Sequence, residues 1–310
     1  MKNHNVAIHF LLNFKTASYI CSRKNIIGRI IMKILLTNDD GYRAKGIKEM
    51  AALLKNFGEV TVIAPKRPQS GMSMAVSMGG QALAYKNLGT EDGIGWAYLD
   101  ATPASCVKLA LNTVFLEEKP DVVVSGINHG TNAASAVCYS GTLGAAAEAA
   151  LNGITAIGVS MDTSDPEADF SEIRKRFPEI FTALTENPAS EYGIYYNINF
   201  PGESCREIKG VRVASQGYGR WVREFRRWDA DFLKRRGKSP EEIRDAMSRA
   251  EDGEELYVIV GDFADDPRNP EDADHRLNRD GYITIVPHNI NCTDYQECKR
   301  LEDIGLNINY

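Results

Sequence analysis

The chain lacks several signatures that would assign a chemistry at once. No GxGxxG follows its first apolar run and no GxxxxGK[ST] occurs anywhere, which argues against dinucleotide-binding dehydrogenases and Walker-type NTPases. GxSxG is also missing, so a nucleophile-elbow hydrolase has no support. The six cysteines (Cys21, Cys106, Cys138, Cys205, Cys292, Cys298) form no CxxC pair and no His/Cys cluster at metal-ligand spacing, so we read them as free thiols in a reducing cytoplasm. Cys106 and Cys138 lie among small and apolar residues and are expected to be buried. Positive charge is also in deficit: 42 acidic against 36 basic side chains leave a net charge of -6, so no stable nucleic-acid partner is expected. The apolar stretch Val6 to Phe14 is interrupted by His9 and Asn13 and is too short to span a bilayer, so no membrane partner is expected either.

One absence is local. The first 38 residues contain no Asp or Glu but carry Lys2, Lys15, Arg23, Lys24, Arg29 and Lys33. A basic, acid-free leader is compatible with a targeting segment, yet it has no clean cleavage site, and Met32 stands directly before a strong strand and could itself initiate. We read residues 1–31 as a dispensable extension.

From Lys33 onward, apolar runs of strand length alternate with helical periodicity. KILLT, Glu59–Pro65, Trp96–Leu99, Asp121–Ser125 and Ile154–Ser160 read as strands. Gly46–Phe57, Ser105–Phe115 and Thr142–Leu151 read as helices between them. Strands apolar on both faces imply a parallel sheet covered on both sides. The expected class is therefore α/β, a Rossmann-like three-layer sandwich with a mostly parallel sheet, occupying residues 32–162 and holding the functional site. Residues 163–310 would complete the core with further strands at Tyr192–Phe200, Val211–Ser215, Leu256–Gly261 and Gly281–Val286, and a short helix at Asp294–Ile304. The charged block Arg220–Glu255 reads as a solvated helical insertion, with a lid or subunit arm as the sharper alternative.

Ligands of parallel sheets gather at the carboxyl ends of the strands, so the loops there matter most. Asn38-Asp39-Asp40-Gly41 closes the first strand, and two adjacent carboxylates repel unless a proton or cation intervenes. Ser70 lies in the loop after the second strand and Asn128 in the loop after DVVVS. Convergence of Asp39, Asp40, Ser70 and Asn128 would make an oxygen-only set suited to Mg²⁺ or Mn²⁺. Read singly, Asp39 could merely cap a turn, and Ser70 and Asn128 could be ordinary loop residues. Ser140, Gly141 and Thr142 introduce an Ala-rich helix whose N-terminus could receive a phosphate; the same small residues also suit close helix packing. His129 reads as a hydrogen-bonded structural residue rather than a proton carrier.

The segments MKILLTNDDG, VIAPKRPQSGMS, SGINHGTN and YSGTLGAAAEAALNGITAIGVS, together and in this order, resemble the SurE family of 5'/3'-nucleotidases. The resemblance is strong from Met32 to about Met161 and returns more weakly in YNINFP and from Leu256 to Pro287. It implies a metal-dependent phosphomonoesterase acting on nucleoside 5'-monophosphates, with some 3'-nucleotidase or broader phosphatase activity. One divalent ion per subunit would be held by Asp39, Asp40, Ser70 and Asn128; Asp39, Asp40 and Asn128 would be catalytic, and Ser140, Gly141 and Thr142 would contact phosphate. It also implies a smaller C-terminal region that exchanges elements between subunits of a homodimer or homotetramer.

Overall fold

The computed structural model describes residues 31–308, except 79, 81, 203, 204, 206 and 236. The expectation for residues 1–31 falls, for all but Ile31, outside the described residues. A nine-stranded sheet organises residues 32–308. Its first strands are β1 (Met32–Thr37), β2 (Gly58–Pro65), β3 (Tyr85–Glu91), β4 (Ile94–Leu99), β5 (Val122–His129), β6 (Thr155–Met161) and β7 (Ile194–Phe200). β8 (Gly210–Val213) and β13 (Tyr282–Asn289) complete it in the spatial order β3-β4-β2-β1-β5-β6-β7-β13-β8. Every neighbouring pair is parallel except β3–β4 and β7–β13.

The apolar strands alternate between two cores, as side chains on extended backbone must. Ile34, Leu36, Val60, Val62, Val122 and Val124 face one side, where α1 (Lys45–Leu54) supplies Ile47, Met50 and Leu54 and α4 (Ser171–Glu186) supplies Phe177 and Phe181. Leu35, Ile63, Val123 and Ala156 face the other, against α2 (Pro103–Asn112) and α3 (Gly141–Leu151). The three-layer α/β expectation is thereby met.

Four features differ from the sequence reading. β3 forms in a segment to which the sequence reading assigned no element; all seven of its residues are exposed, so burial leaves no alternating signature in the sequence. Helix α4 was not anticipated, because Pro178 reads as a helix breaker although the helix runs through it, and its exposed face is highly charged. Cys138 is exposed rather than buried, since Ala134–Tyr139 forms a surface 3₁₀ turn. The Arg220–Glu255 block is only partly helical. It contains part of β9 (Gly219–Val222), all of β10 (Phe225–Arg227), and helices α5 (Ala230–Arg235) and α6 (Pro240–Met247). β9 pairs antiparallel with β12 (Asp262–Asp265), and β10 with β11 (Tyr257–Ile259). The aromatic and β-branched residues of GRWVREF favour strand over helix. α7 (Asp274–Arg279) returns the chain to β13, and α8 (Tyr295–Asp303) follows with no buried residue.

Candidate active site at the sheet switch point

The strand order reverses between β1 and β5: from β1 the chain moves to β2 on one side, while β5 is followed by β6 on the other. Such a reversal opens a crevice at the carboxyl ends of the two strands. Asp39 and Asp40 leave β1 at that point, and Asn128, expected in the loop after DVVVS, lies within the neighbouring β5, one residue before its end at His129. The hairpin-like stop after β1 is local. Asn38 closes a ring on itself, its side-chain oxygen accepting from the Gly41 N–H and its amide donating to the Gly41 carbonyl, both at 3.1 Å. Gly41 takes φ +94°, a conformation that costs glycine little.

The two carboxylates then diverge. Asp39 is 4% exposed, and its Oδ1 accepts a hydrogen bond from the Thr142 hydroxyl at 2.5 Å. Its main-chain carbonyl accepts the Gln69 N–H at 2.7 Å, which fixes the β2 loop against the end of β1. Gly141 packs so close that a Cβ there would lie 2.9 Å from the Asp39 Cβ. Burial, opposed by the Thr142 hydrogen bond and reinforced by the Asp40 charge, pushes the Asp39 carboxyl up to about 6.

Asp40 turns toward β5. Its Oδ2 accepts the His129 backbone N–H at 3.1 Å and lies 3.0 Å from His129 Nδ1. His129 Nε2 is buried without a partner and the ring meets Phe170 edge-on at 5.3 Å. This arrangement suits the tautomer with the proton on Nδ1, donated to Asp40, and closes Nε2 off from any reacting group. His129 is therefore the structural residue that its sequence context suggests. It orients Asp40 while leaving Oδ1 of that carboxylate without a hydrogen bond among the described residues.

Asn128 is 8% exposed, and its side-chain amide donates to the Gly130 carbonyl at 2.7 Å. That bond sets the orientation of the amide and leaves Oδ1 unpaired among the described residues. Ser70, next to the anchored Gln69, is exposed and makes no side-chain hydrogen bond among the described residues. The structure therefore brings Asp39 and Asp40 to the carboxyl end of β1, places Asn128 near the carboxyl end of the neighbouring β5, and fixes the backbone beside Ser70 on the Asp39 carbonyl.

The phosphate candidates have partners of their own. Ser140 caps α3 by accepting the Leu143 N–H at 3.1 Å, and Thr142 is wholly buried with its hydroxyl on Asp39. The Gly141 side of the helix start is where the positive end of α3 faces the crevice. Asn132 was not singled out by sequence. It is 6% exposed, accepts the Asn197 amide on its carbonyl at 2.9 Å and donates to the Ser160 hydroxyl at 2.7 Å. Its signal was its place in GINHGTN, four residues after Asn128.

The protein is thus of the open α/β class, with adjacent carboxylates at the switch point where such sheets bind ligands. The family model for "Survival protein SurE" matches residues 34–223. The chain is 36% identical over 274 residues to a protein of Flavobacterium johnsoniae named 5'-nucleotidase SurE, covering 88% of this chain and 97% of that one. It is 36% identical over 277 residues to the Bacteroides fragilis protein of the same name, again covering 88% and 97%. The crystal structure of the SurE protein from Aquifex aeolicus superposes with a TM-score of 0.68 at 28% identity, covering 87% of this chain and 98% of that one. This chain belongs to the SurE family.

Proposed function

We propose that the protein is a metal-dependent 5'-nucleotidase that removes the phosphate from nucleoside 5'-monophosphates, with lesser activity on 3'-monophosphates and simple aryl phosphates. The observation that carries this reading is the environment of Asp39, a buried carboxylate beside a second one, with no Lys or Arg side chain among the described residues bonded to either and only the His129 ring on Asp40. Ionised carboxylates so placed call for a cation. Among the described residues no three His, Cys, Asp or Glu side chains gather as a metal cluster. A donor set of two carboxylates with neutral oxygens suits Mg²⁺ or Mn²⁺ better than zinc. The residues thus fit one hard divalent ion held by Asp39, Asp40, Ser70 and Asn128.

Bound there, such an ion supplies Lewis-acid polarisation of a phosphoryl oxygen and neutralises charge. The chain's own contribution is positional. Thr142 and the start of α3 hold Asp39 fixed, His129 holds Asp40, and the Gly130 carbonyl aims the Asn128 oxygen. The start of α3 at Gly141 would orient the phosphoryl group by its N–H groups and dipole. With one helix N-terminus and no Walker-type cradle, a single phosphoryl group is better matched than a triphosphate.

The family resemblance also implies a homodimer or homotetramer. Exposed Tyr218, Phe225, Tyr257, Ile259, Tyr295 and Ile304 on the β9–β12 arm and around α8 support a surface that a second copy covers. A cytoplasmic site of action accords with scattered free cysteines, and no described helix is long and apolar enough to cross a membrane. The test of function is phosphate release from matched mono-, di- and triphosphates of one nucleoside, with Mg²⁺ or Mn²⁺ and after chelation. The monophosphate should be cleaved fastest and chelation should stop it. Equal triphosphate cleavage, or full activity in chelator, would overturn the reading.

A further inference from the structure

A second opening lies on the same edge of the sheet, one and two strands further on. It is a cavity of about 420 Å³, within the range of small-molecule pockets, and Thr131, Asp162, Trp221, Phe263 and Arg279 contribute to its wall. Its floor is set by strand register. His129 pairs with Met161 on β6, and Met161 pairs with Phe200 on β7, so Asp162 and Pro201 emerge beside the segment that leaves Asn128. Thr131 follows Asn128 by three residues, a reach of at most about 10 Å. That is the order of the distance from a nucleotide's phosphate to its base.

The outer wall comes from the antiparallel β9–β12 pair. Trp221 and Phe263 meet edge-on with centroids 5.7 Å apart, and Phe263 meets His275 at 5.5 Å. Two glycines bring this pair down onto the pocket. A Cβ at Gly219 would lie 2.3 Å from the Phe263 ring, and one at Gly217 would lie 2.3 Å from His275 Nδ1. Trp221 is 38% exposed, so much of its ring is open to a ligand. Of the polar side chains in the wall, Thr131, His275 and Asn278 are spent on Asn199, Asp265 and the Asn199 and Tyr282 carbonyls, which leaves Asp162 and Arg279. Among the described residues Asp162 has no hydrogen-bonded side-chain partner and Arg279 no ion pair, and partial burial holds the Asp162 carboxyl above the ordinary range. An aromatic wall with one acceptor and one donor is the chemistry of a nucleoside: a flat base to stack and hydroxyls to receive hydrogen bonds.

We propose that this cavity is the nucleoside subsite, with Trp221 and Phe263 stacking the base and Asp162 accepting from the ribose hydroxyls while the phosphate reaches the crevice at Asp39 and Asp40. The assignment rests on the nucleotidase reading for its phosphate end only. Its test compares kcat/KM for a purine nucleoside 5'-monophosphate with that for ribose 5-phosphate, in wild type, Trp221→Ala and Trp221→Phe. Trp221→Ala should lower the nucleotide-to-ribose-phosphate ratio about tenfold, in line with the loss of one base–aromatic stack, and Trp221→Phe should restore most of it. A ratio unchanged in Trp221→Ala would overturn the subsite. Calorimetric titration with the free nucleoside separates the two readings. If neither phosphate ester is cleaved, the nucleotidase reading fails, but the subsite stands if wild type binds nucleoside at least tenfold more tightly than Trp221→Ala. Absent or equal binding by the two overturns it.

Discussion

The switch-point crevice and the aromatic pocket beside it are built in opposite ways. In the crevice, the groups that matter stand on buried strand ends and are locked by bonds across long sequence separations. Thr142 reaches Asp39 over 103 residues and His129 reaches Asp40 over 89. In the pocket, Trp221 and Phe263 stand on a two-stranded ribbon outside the main sheet, partly exposed and held by close glycine packing. Rigid placement suits groups that must hold a cation and a reacting phosphoryl group to within fractions of an ångström. A stacking wall tolerates looser placement, because every base offers a π-face. The difference predicts that changes in the crevice act on turnover and on electrostatics, whereas changes in the pocket act on substrate preference.

The largest effect expected is in the crevice. Asp39→Asn or Asp40→Asn should lower turnover by at least ~100-fold with the fold retained, because each removes a charge from the proposed cation site. Chelation of the wild type should have the same consequence. Full turnover of either folded variant in metal-replete buffer would remove the assignment and, with it, the contrast with the pocket.

A second consequence concerns stability without metal. The Asp39 carboxyl binds its proton more tightly in the folded chain, at about 6, than at its ordinary 3.8. Its contribution to stability is therefore complete below about pH 3.8 and is lost as pH rises through 6. The loss is at most about 3 kcal/mol, from the size of that displacement. In chelator, Asp39→Asn should thus gain on wild type as pH rises from 4 to 7, read from denaturant midpoints at each pH. The same substitution would then stabilise the metal-free fold and destroy activity, a conflict expected of functional groups. A stability difference that does not vary with pH would show that Asp39 is not strained by burial.

Thr142→Val should have an intermediate effect. It keeps the shape but removes the hydroxyl that holds Asp39 Oδ1, a hydrogen bond to a charged group of about 1.5–3 kcal/mol. That bond lowers the Asp39 proton affinity, so its loss should move the pH midpoint for metal binding upward. We expect kcat/KM to fall about tenfold near pH 6.5, given a loss of that size, with recovery toward pH 8. A loss equal at both pH values would assign Thr142 to phosphate contact, the role the sequence suggested, rather than to holding Asp39.

The two regions also differ in how much of them the sequence disclosed. β1, β2, β5 and β6 are apolar on both faces and stand beside helices with clear periodicity, so the layers and the parallel core could be read directly. Asp39, Asp40 and Asn128 were legible because they sit in short motifs at strand ends. The identity of their partners was not, since Thr142 and His129 meet them only through the order β1-β5-β6, which no local pattern states. The reversal of β13 against β7 was equally invisible, because an apolar strand reads alike in either direction. In the pocket, Trp221 lies in the block whose charge suggested a solvated helix, and Phe263 lies past the strand expected at Leu256–Gly261, in a segment left unassigned. Their pairing depends on antiparallel register between Trp221 and Phe263 themselves, 42 positions apart by their numbers.

The smallest effect should come from Ser70, the proposed ligand that the structure holds least firmly. Its side chain is exposed and without a hydrogen bond, while the adjacent Gln69 N–H is fixed on the Asp39 carbonyl at 2.7 Å. A neutral hydroxyl adds little electrostatic attraction to a divalent ion compared with a carboxylate. Ser70→Ala should therefore weaken metal affinity only several-fold, on the order of 1 kcal/mol, and excess Mg²⁺ or Mn²⁺ should restore turnover. Asn128→Ala should be somewhat worse, since it also strands the Gly130 carbonyl that its amide satisfies. Calorimetric metal titration orders the series directly: Asp39→Asn weakest, then Asn128→Ala, then Ser70→Ala. Unchanged affinity in Ser70→Ala would reduce the ligand set to Asp39, Asp40 and Asn128, leaving solvent to complete the coordination at the open side of the crevice.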